Sequence, residues 1–217
     1  MRFAAGAALL ALSLAGCGKV ITSTGRSVFM LVDASGSYSA EIPAIAVDAK
    51  HVVARMQAND WLGAAQISSC SFADTMIIPG ERFPGRPSEA MDAQSEVFET
   101  LETYAAGEHR TQNTDIRGAL AGAAMSLRQS HDARRFVVVF SDMVEDVAPD
   151  CDTASLDLDL AGLTVIVNRM SRLPSDGRNP EQYTARIEHW RQIVTEAGGK
   201  FVYTDSRDAL LNAVMAT

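Results

Sequence analysis

Residues 27–37 read Ser-Val-Phe-Met-Leu-Val-Asp-Ala-Ser-Gly-Ser. The stretch from Ser27 to Val32 is a continuous run rich in β-formers, without the polar alternation of a half-exposed strand. Such a run suits a strand of a parallel sheet covered on both faces. Where it stops, a carboxylate and two hydroxyls follow at alternate positions: Asp33, Ser35 and Ser37. In open α/β sheets ligands bind beyond the carboxyl ends of the strands, so the polar residues at those ends carry the functional argument.

Strand-like and helix-like segments alternate downstream. From Glu41 to Met56 apolar residues fall at helical spacing on one face, with Pro43 in the first turn, where its missing N–H costs nothing. Trp61 to Ser68 and Phe72 to Ile78 read as strands joined by a short polar turn, hence an antiparallel hairpin. Pro79 to Pro87 holds three prolines and two glycines and reads as loop. Ser88 to Ala105 and Thr114 to Arg128 read as helices, the second lined with small residues that permit close approach to a sheet.

Arg135 to Phe140 and Leu163 to Val167 repeat the buried-strand signature around an acidic loop, Asp142 to Asp159. A helix from Glu181 to Ala197, capped by Gly198-Gly199, a strand from Lys200 to Tyr203 and a helix from Ser206 to Ala216 follow. This order predicts an α/β fold: a doubly wound, mostly parallel six-stranded sheet with one antiparallel edge strand and helices on both faces.

The chain has 27 acidic and 19 basic residues, a formal net charge of −8. That sign repels phosphates, which argues against nucleic acid as a partner and favours a divalent cation. The four histidines lie within or beside predicted helices, none with the spacing of a zinc site.

Two further positions join Asp33, Ser35 and Ser37. Asp142 follows the strand that ends at Phe140, and Thr114 opens the helix before that strand, so both belong on the same rim. Each alone is a plausible turn or helix cap, and Asp115 is best read as a cap. Together, Asp33-x-Ser35-x-Ser37, a distant Thr114 and a later Asp142 resemble the von Willebrand factor A family. Gly118-Ala119-Leu120 is similar to the family's helix after its threonine. The resemblance implies a metal-ion-dependent adhesion site in which Asp33, Ser35, Ser37, Thr114 and Asp142 hold Mg2+, or Mn2+ or Ca2+. The partner it implies is a protein offering an acidic side chain to the metal. Tyr38 and Met143 depart from the family, which often has Met and Gly at these positions. Neither supplies a ligand, so the departures bear on rim shape and partner choice.

In the family's sheet order Cys70 and Cys151 lie on the metal-bearing rim, on either side of the first strand. A disulfide there would brace the site, provided the Cα atoms come within about 7 Å. Two buried free thiols are the alternative.

At the start of the chain, Arg2 precedes an apolar run from Phe3 to Leu14, too short to span a bilayer and suited to an export signal. Leu14-Ala15-Gly16-Cys17 resembles the lipobox of bacterial lipoproteins. That resemblance implies a signal peptide over 1–16, lipidation at Cys17, a tether over 17–26 and a domain over 27–217. The protein would then be anchored in the cell envelope by lipid alone, and Gly18 favours the outer membrane where there is one.

Two other readings stand beside a binding module. One is a structural envelope lipoprotein whose metal site is idle. The other is a phosphatase-like hydrolase using Asp33, since an Asp at a strand end is similar to the haloacid dehalogenase nucleophile. That superfamily has Asp where Ser35 stands, and it needs a lysine that is missing between Thr114 and Asp142. The expected protein is not an enzyme.

Overall fold

The computed structural model describes residues 23–71, 76–151, 153 and 156–216. The proposed signal peptide and Cys17 lie outside these residues. Among the described residues no helix is long and apolar enough to cross a membrane.

Six strands form one sheet: β1 (Ser23–Asp33), β2 (Trp61–Ile67), β3 (Met76–Arg82), β4 (Asp132–Phe140), β5 (Thr164–Asn168) and β6 (Lys200–Thr204). Their order is β3-β2-β1-β4-β5-β6, with β3 antiparallel at one edge and the rest parallel. Five helices pack on it: α1 (Ile42–Val53), α2 (Pro87–Ala106), α3 (Ile116–Gln129), α4 (Pro180–Glu196) and α5 (Arg207–Met215). This is the expected architecture, a six-stranded α/β sheet with helices on both faces.

β1 lies at the centre because its residues can be buried on either face. Val28, Met30 and Val32 pack with α1, α2 and α5, whereas Phe29 and Leu31 pack with α3 and α4. Alternate residues of a strand point to opposite faces, so an unbroken apolar run is what two helical layers require. The sheet order then brings the carboxyl ends of β1, β2 and β4 side by side on one rim.

Two local expectations are corrected. β1 starts at Ser23 rather than Ser27, so the strand takes in residues 23–26. They gain partners that the local sequence does not announce: Ser23 pairs with Asp132 of β4, and the Arg26 N–H donates to Asp60 Oδ1 at 2.9 Å. The Pro79–Pro87 stretch is also not all loop, because β3 runs through Pro79 and Gly80 to Arg82. An edge strand tolerates proline, since one side of its backbone has no ladder to complete. Gly80 is required there by packing. A Cβ at this position would sit 2.1 Å from Cζ2 of the buried Trp61.

Candidate metal centre

At the end of β1 the Asp33 side chain is fully buried and both its oxygens are engaged. Oδ1 accepts from the Ser35 N–H at 2.8 Å, and Oδ2 accepts from the Ser141 hydroxyl at 2.6 Å. The first bond is the local turn that short polar side chains favour. The second fastens the ends of β1 and β4 together. The Ser35 carbonyl in turn accepts from the N–H groups of Tyr38 and Ser39, at 3.0 and 2.8 Å, and leads the chain into a 3-10 turn before α1.

The hydroxyls of Ser35 and Ser37 lie 3.1 Å apart, and that of Ser37 donates to Asp142 Oδ2 at 3.0 Å. Asp142 Oδ1 accepts from the Val144 N–H at 2.9 Å. The following residue, Met143, has φ 60°, a left-handed conformation that favours glycine. Two contacts hold it there. Its N–H donates to Ser141 Oγ at 2.8 Å, and its carbonyl accepts from Trp190 Nε1 at 2.9 Å.

Thr114 is buried on the segment that leads into α3. It exchanges both backbone hydrogen bonds with Asp146, at 2.7 and 2.9 Å. Three residues earlier the Thr111 N–H donates to the Ala34 carbonyl at 2.9 Å, and Thr111 forms a bridge with Ser35. The structure thus joins Asp33, Ser35, Ser37 and Asp142 through a few hydrogen bonds and stitches the Thr114 segment to both of their loops.

Burial is the main influence on Asp33 and pushes its carboxyl pKa upward. Hydrogen bonds from Ser141 and Ser35 oppose this, while Asp142 adds to it by repulsion. A cation bound at the rim would offset both the lost hydration and the repulsion. The donors are all oxygen, the hard ligand type that Mg2+ and Ca2+ prefer. Adjacent oxygens around an octahedral Mg2+ at about 2.1 Å lie about 3.0 Å apart, and the Ser35–Ser37 and Ser37–Asp142 contacts, at 3.1 and 3.0 Å, have that spacing. Beside Ser35, the Thr111 hydroxyl is buried with no hydrogen-bond partner among the described residues. The donor set therefore suits a small divalent cation in chemistry, and Ser35, Ser37 and Asp142 suit it in spacing.

No family model matches the sequence, and no curated protein matches it. Solved structures do. A von Willebrand factor type A protein from Catenulispora acidiphila superposes with a TM-score of 0.58 at 12% identity, covering 89% of this chain and 42% of that one. The chain has a von Willebrand factor A-like fold. The pilus adhesin SpaC from Lactobacillus rhamnosus GG, in its open conformation, gives a TM-score of 0.54 at 10% identity, covering 88% of this chain and 29% of that one. A mutant of the minor pilin PilB from Streptococcus sanguinis gives 0.51 at 11% identity, covering 89% of this chain and 60% of that one. The chain thus spans less than two thirds of the length of each of these proteins.

Within this von Willebrand factor A-like fold, Cys70 and Cys151 are joined, with S–S 2.01 Å and Cα atoms 5.6 Å apart. Their sulfurs lie near a carboxylate oxygen of Asp115, but bonded sulfurs offer no thiolate to a metal. Asp115 is a cap, as expected, accepting from the Gly118 N–H at 2.8 Å. It is also more than a cap. Its carboxylate accepts from the Ser71 N–H at 2.9 Å and the Thr153 hydroxyl at 2.8 Å.

Ser141, Thr111 and Trp190 are contributors that sequence reasoning did not assign. Ser141 is adjacent to Asp142 at the strand end, a signal that was available. Thr111 shows no motif, and the reach of Trp190 to Met143 depends on how α4 packs.

Proposed function

We propose that this protein is an envelope lipoprotein whose von Willebrand factor A-like domain binds a protein partner through a divalent cation held by Asp33, Ser35, Ser37, Thr114 and Asp142. The observation that carries the reading is the chain of oxygens from Ser35 through Ser37 to Asp142, spaced like neighbouring ligands of an octahedral ion. When bound, the cation supplies an electrophilic position for an acidic side chain of the partner. The protein's own residues hold that position: Asp33 and Asp142 provide charge, and the three hydroxyls provide neutral oxygens.

Several observations support a binding role over a catalytic one. Ser35 stands two residues after Asp33, where the haloacid dehalogenase pattern has a second aspartate, and no lysine lies between Thr114 and Asp142. Lys50 pairs with Glu102 at 2.7 Å, and Lys200 opens β6 at the end of the sheet opposite the rim. Two of the structures sharing this fold are described as a pilus adhesin and a minor pilin, which favours protein ligands. The net charge of −8 disfavours nucleic acid.

The metal reading is tested by thermal unfolding with millimolar Mg2+ or Mn2+ against excess chelator. The expected result is a rise in Tm for the wild type and none for Asp33→Ala. An unchanged wild-type Tm, with no heat of binding, overturns it in favour of an idle site. Turnover of a generic phosphate ester would instead favour a hydrolase. The anchor is tested separately: mass spectrometry of membrane fractions should find acylated Cys17, and Cys17→Ser should release the protein.

A further inference from the structure

Of the five proposed ligands, Thr114 has the most elaborate support. On one side, the Asn113 N–H donates to Ser69 Oγ at 3.3 Å and the Asp115 N–H to the Ser68 carbonyl at 2.9 Å. On the other, Thr114 is paired with Asp146, and Asn113 Nδ2 donates to Asp146 Oδ2 at 3.1 Å. Residue 114 is therefore suspended between the loop after β2 and the loop after β4. The fully buried Asp115 carboxylate spans the same gap, accepting from Ser71 in one loop and Thr153 in the other. The Cys70–Cys151 bond links those two loops covalently across 81 residues of sequence.

We propose that the Cys70–Cys151 disulfide and Asp115 position the Thr114 hydroxyl for the divalent cation, so that the cation affinity of the rim falls when the disulfide is opened. The proposal rests on the metal-binding reading above. The physical reason lies in the demands of the ion. Mg2+ requires near-ideal octahedral geometry at about 2.0–2.1 Å, so small displacements of a ligand are costly. Residues that orient metal ligands without touching the ion typically change affinity by about 10–100-fold. With the bond open, the covalent link between the two loops around residue 114 is gone.

Cys70 is solvent-exposed, so a dithiol reductant can reach its sulfur. A dithiol thiolate attacks Cys70 Sγ, the S–S bond breaks, and Cys151 leaves as a thiolate that takes up a proton. The second thiol of the reductant then displaces Cys70, which is protonated in turn. Two electrons and two protons pass to the protein, and the reductant becomes a cyclic disulfide.

The experiment is calorimetric titration of the whole domain with Mg2+ in three forms: oxidised wild type, wild type reduced with dithiothreitol and desalted anaerobically, and Asp115→Asn with its disulfide intact. Circular dichroism at the titration temperature checks that each form is folded. The oxidised protein should bind, and the other two should bind about tenfold or more weakly, with reoxidation restoring the reduced sample. In a Thr114→Val background, opening the disulfide should change affinity no further, a non-additivity that a general loss of stability does not produce. Equal affinity in folded oxidised and reduced samples overturns the proposal while leaving the metal site intact. An undiminished effect of reduction in Thr114→Val also overturns it, by removing Thr114 from the route. If oxidised wild type binds no divalent cation, the metal-binding reading fails, and this inference fails with it. Should reduction unfold the domain, the disulfide's part of the proposal is overturned, since the bond then supports the whole domain, and Asp115→Asn, with its disulfide intact, decides the part of Asp115.

Discussion

The Ser37 hydroxyl donates to Asp142 Oδ2 at 3.0 Å and so joins two parts of the chain 105 residues apart. No local motif contains both residues. The bond exists because β1 and β4 are neighbours in the sheet and their carboxyl ends come level. Ser37→Ala removes a hydrogen bond of ordinary strength, so the metal-free protein should lose about 1 kcal/mol. Loss of the oxygen should weaken Mg2+ binding about tenfold or more. Denaturant unfolding in chelator and calorimetric titration separate the two effects.

Gly118 faces the carboxylate that caps its own helix. A Cβ at this position would lie 2.1 Å from Asp115 Oδ2, while the Gly118 N–H donates to Asp115 Oδ1 at 2.8 Å. Helix propensity alone would make Gly118→Ala stabilising by about 1 kcal/mol. Displacing a buried, multiply bonded carboxylate costs about 1–3 kcal/mol in overpacking and about 1 kcal/mol in lost capping. The expected net effect is destabilisation by about 1–3 kcal/mol, read from denaturant midpoints. A stabilised variant would show that the cap relaxes freely.

Trp190 buttresses the loop that carries Asp142. Its indole is buried, and Nε1 donates to the carbonyl of Met143, the left-handed residue next to that aspartate. Trp190→Phe keeps the aromatic packing in part but leaves a buried carbonyl unpaired, at about 1–3 kcal/mol. The variant should unfold at lower denaturant, and its Mg2+ affinity should fall because Asp142 is less firmly placed. Unchanged affinity in a folded Trp190→Phe protein would show that Asp142 needs no such support.

Asp176 supplies the pH dependence. Arg186 forks onto its carboxylate, at 2.9 and 3.3 Å, and the Leu173 N–H donates to it at 2.7 Å. The Arg186 hydrogen bond is the main reason that its carboxyl pKa falls below the ordinary 3.8. A pKa lowered by folding means that the folded state favours the charged form. The stabilisation is therefore present above 3.8 and lost as pH falls from there through the folded-state value. Asp176→Asn should be less stable than wild type at neutral pH, with a gap that narrows on acidification below 3.8. Unfolding curves at pH 7, 5 and 3 measure it.

Much of this was legible along the chain. The unbroken apolar runs of β1, β4 and β5 and the helical spacing of α1 encode which faces are buried, because side-chain periodicity is a local property. The candidate ligands were equally legible, since each follows or precedes an element end. The run of strand through Pro79 and Gly80 was not, because it depends on β3 lying at the edge beside Trp61. The true start of β1 at Ser23 depends on pairing with β4.

By itself, the amino-acid order determined the alternation of elements, the burial of β1 on both faces, and the presence of oxygen-bearing residues at three element ends. Tertiary structure alone decided that Ser37 meets Asp142, that Cys70 meets Cys151, that Asp115 spans two loops and that Trp190 supports Met143. The reason is one of range. Periodicity and capping act within a few residues, whereas these contacts arise only once strand order and register have brought distant segments to the same rim.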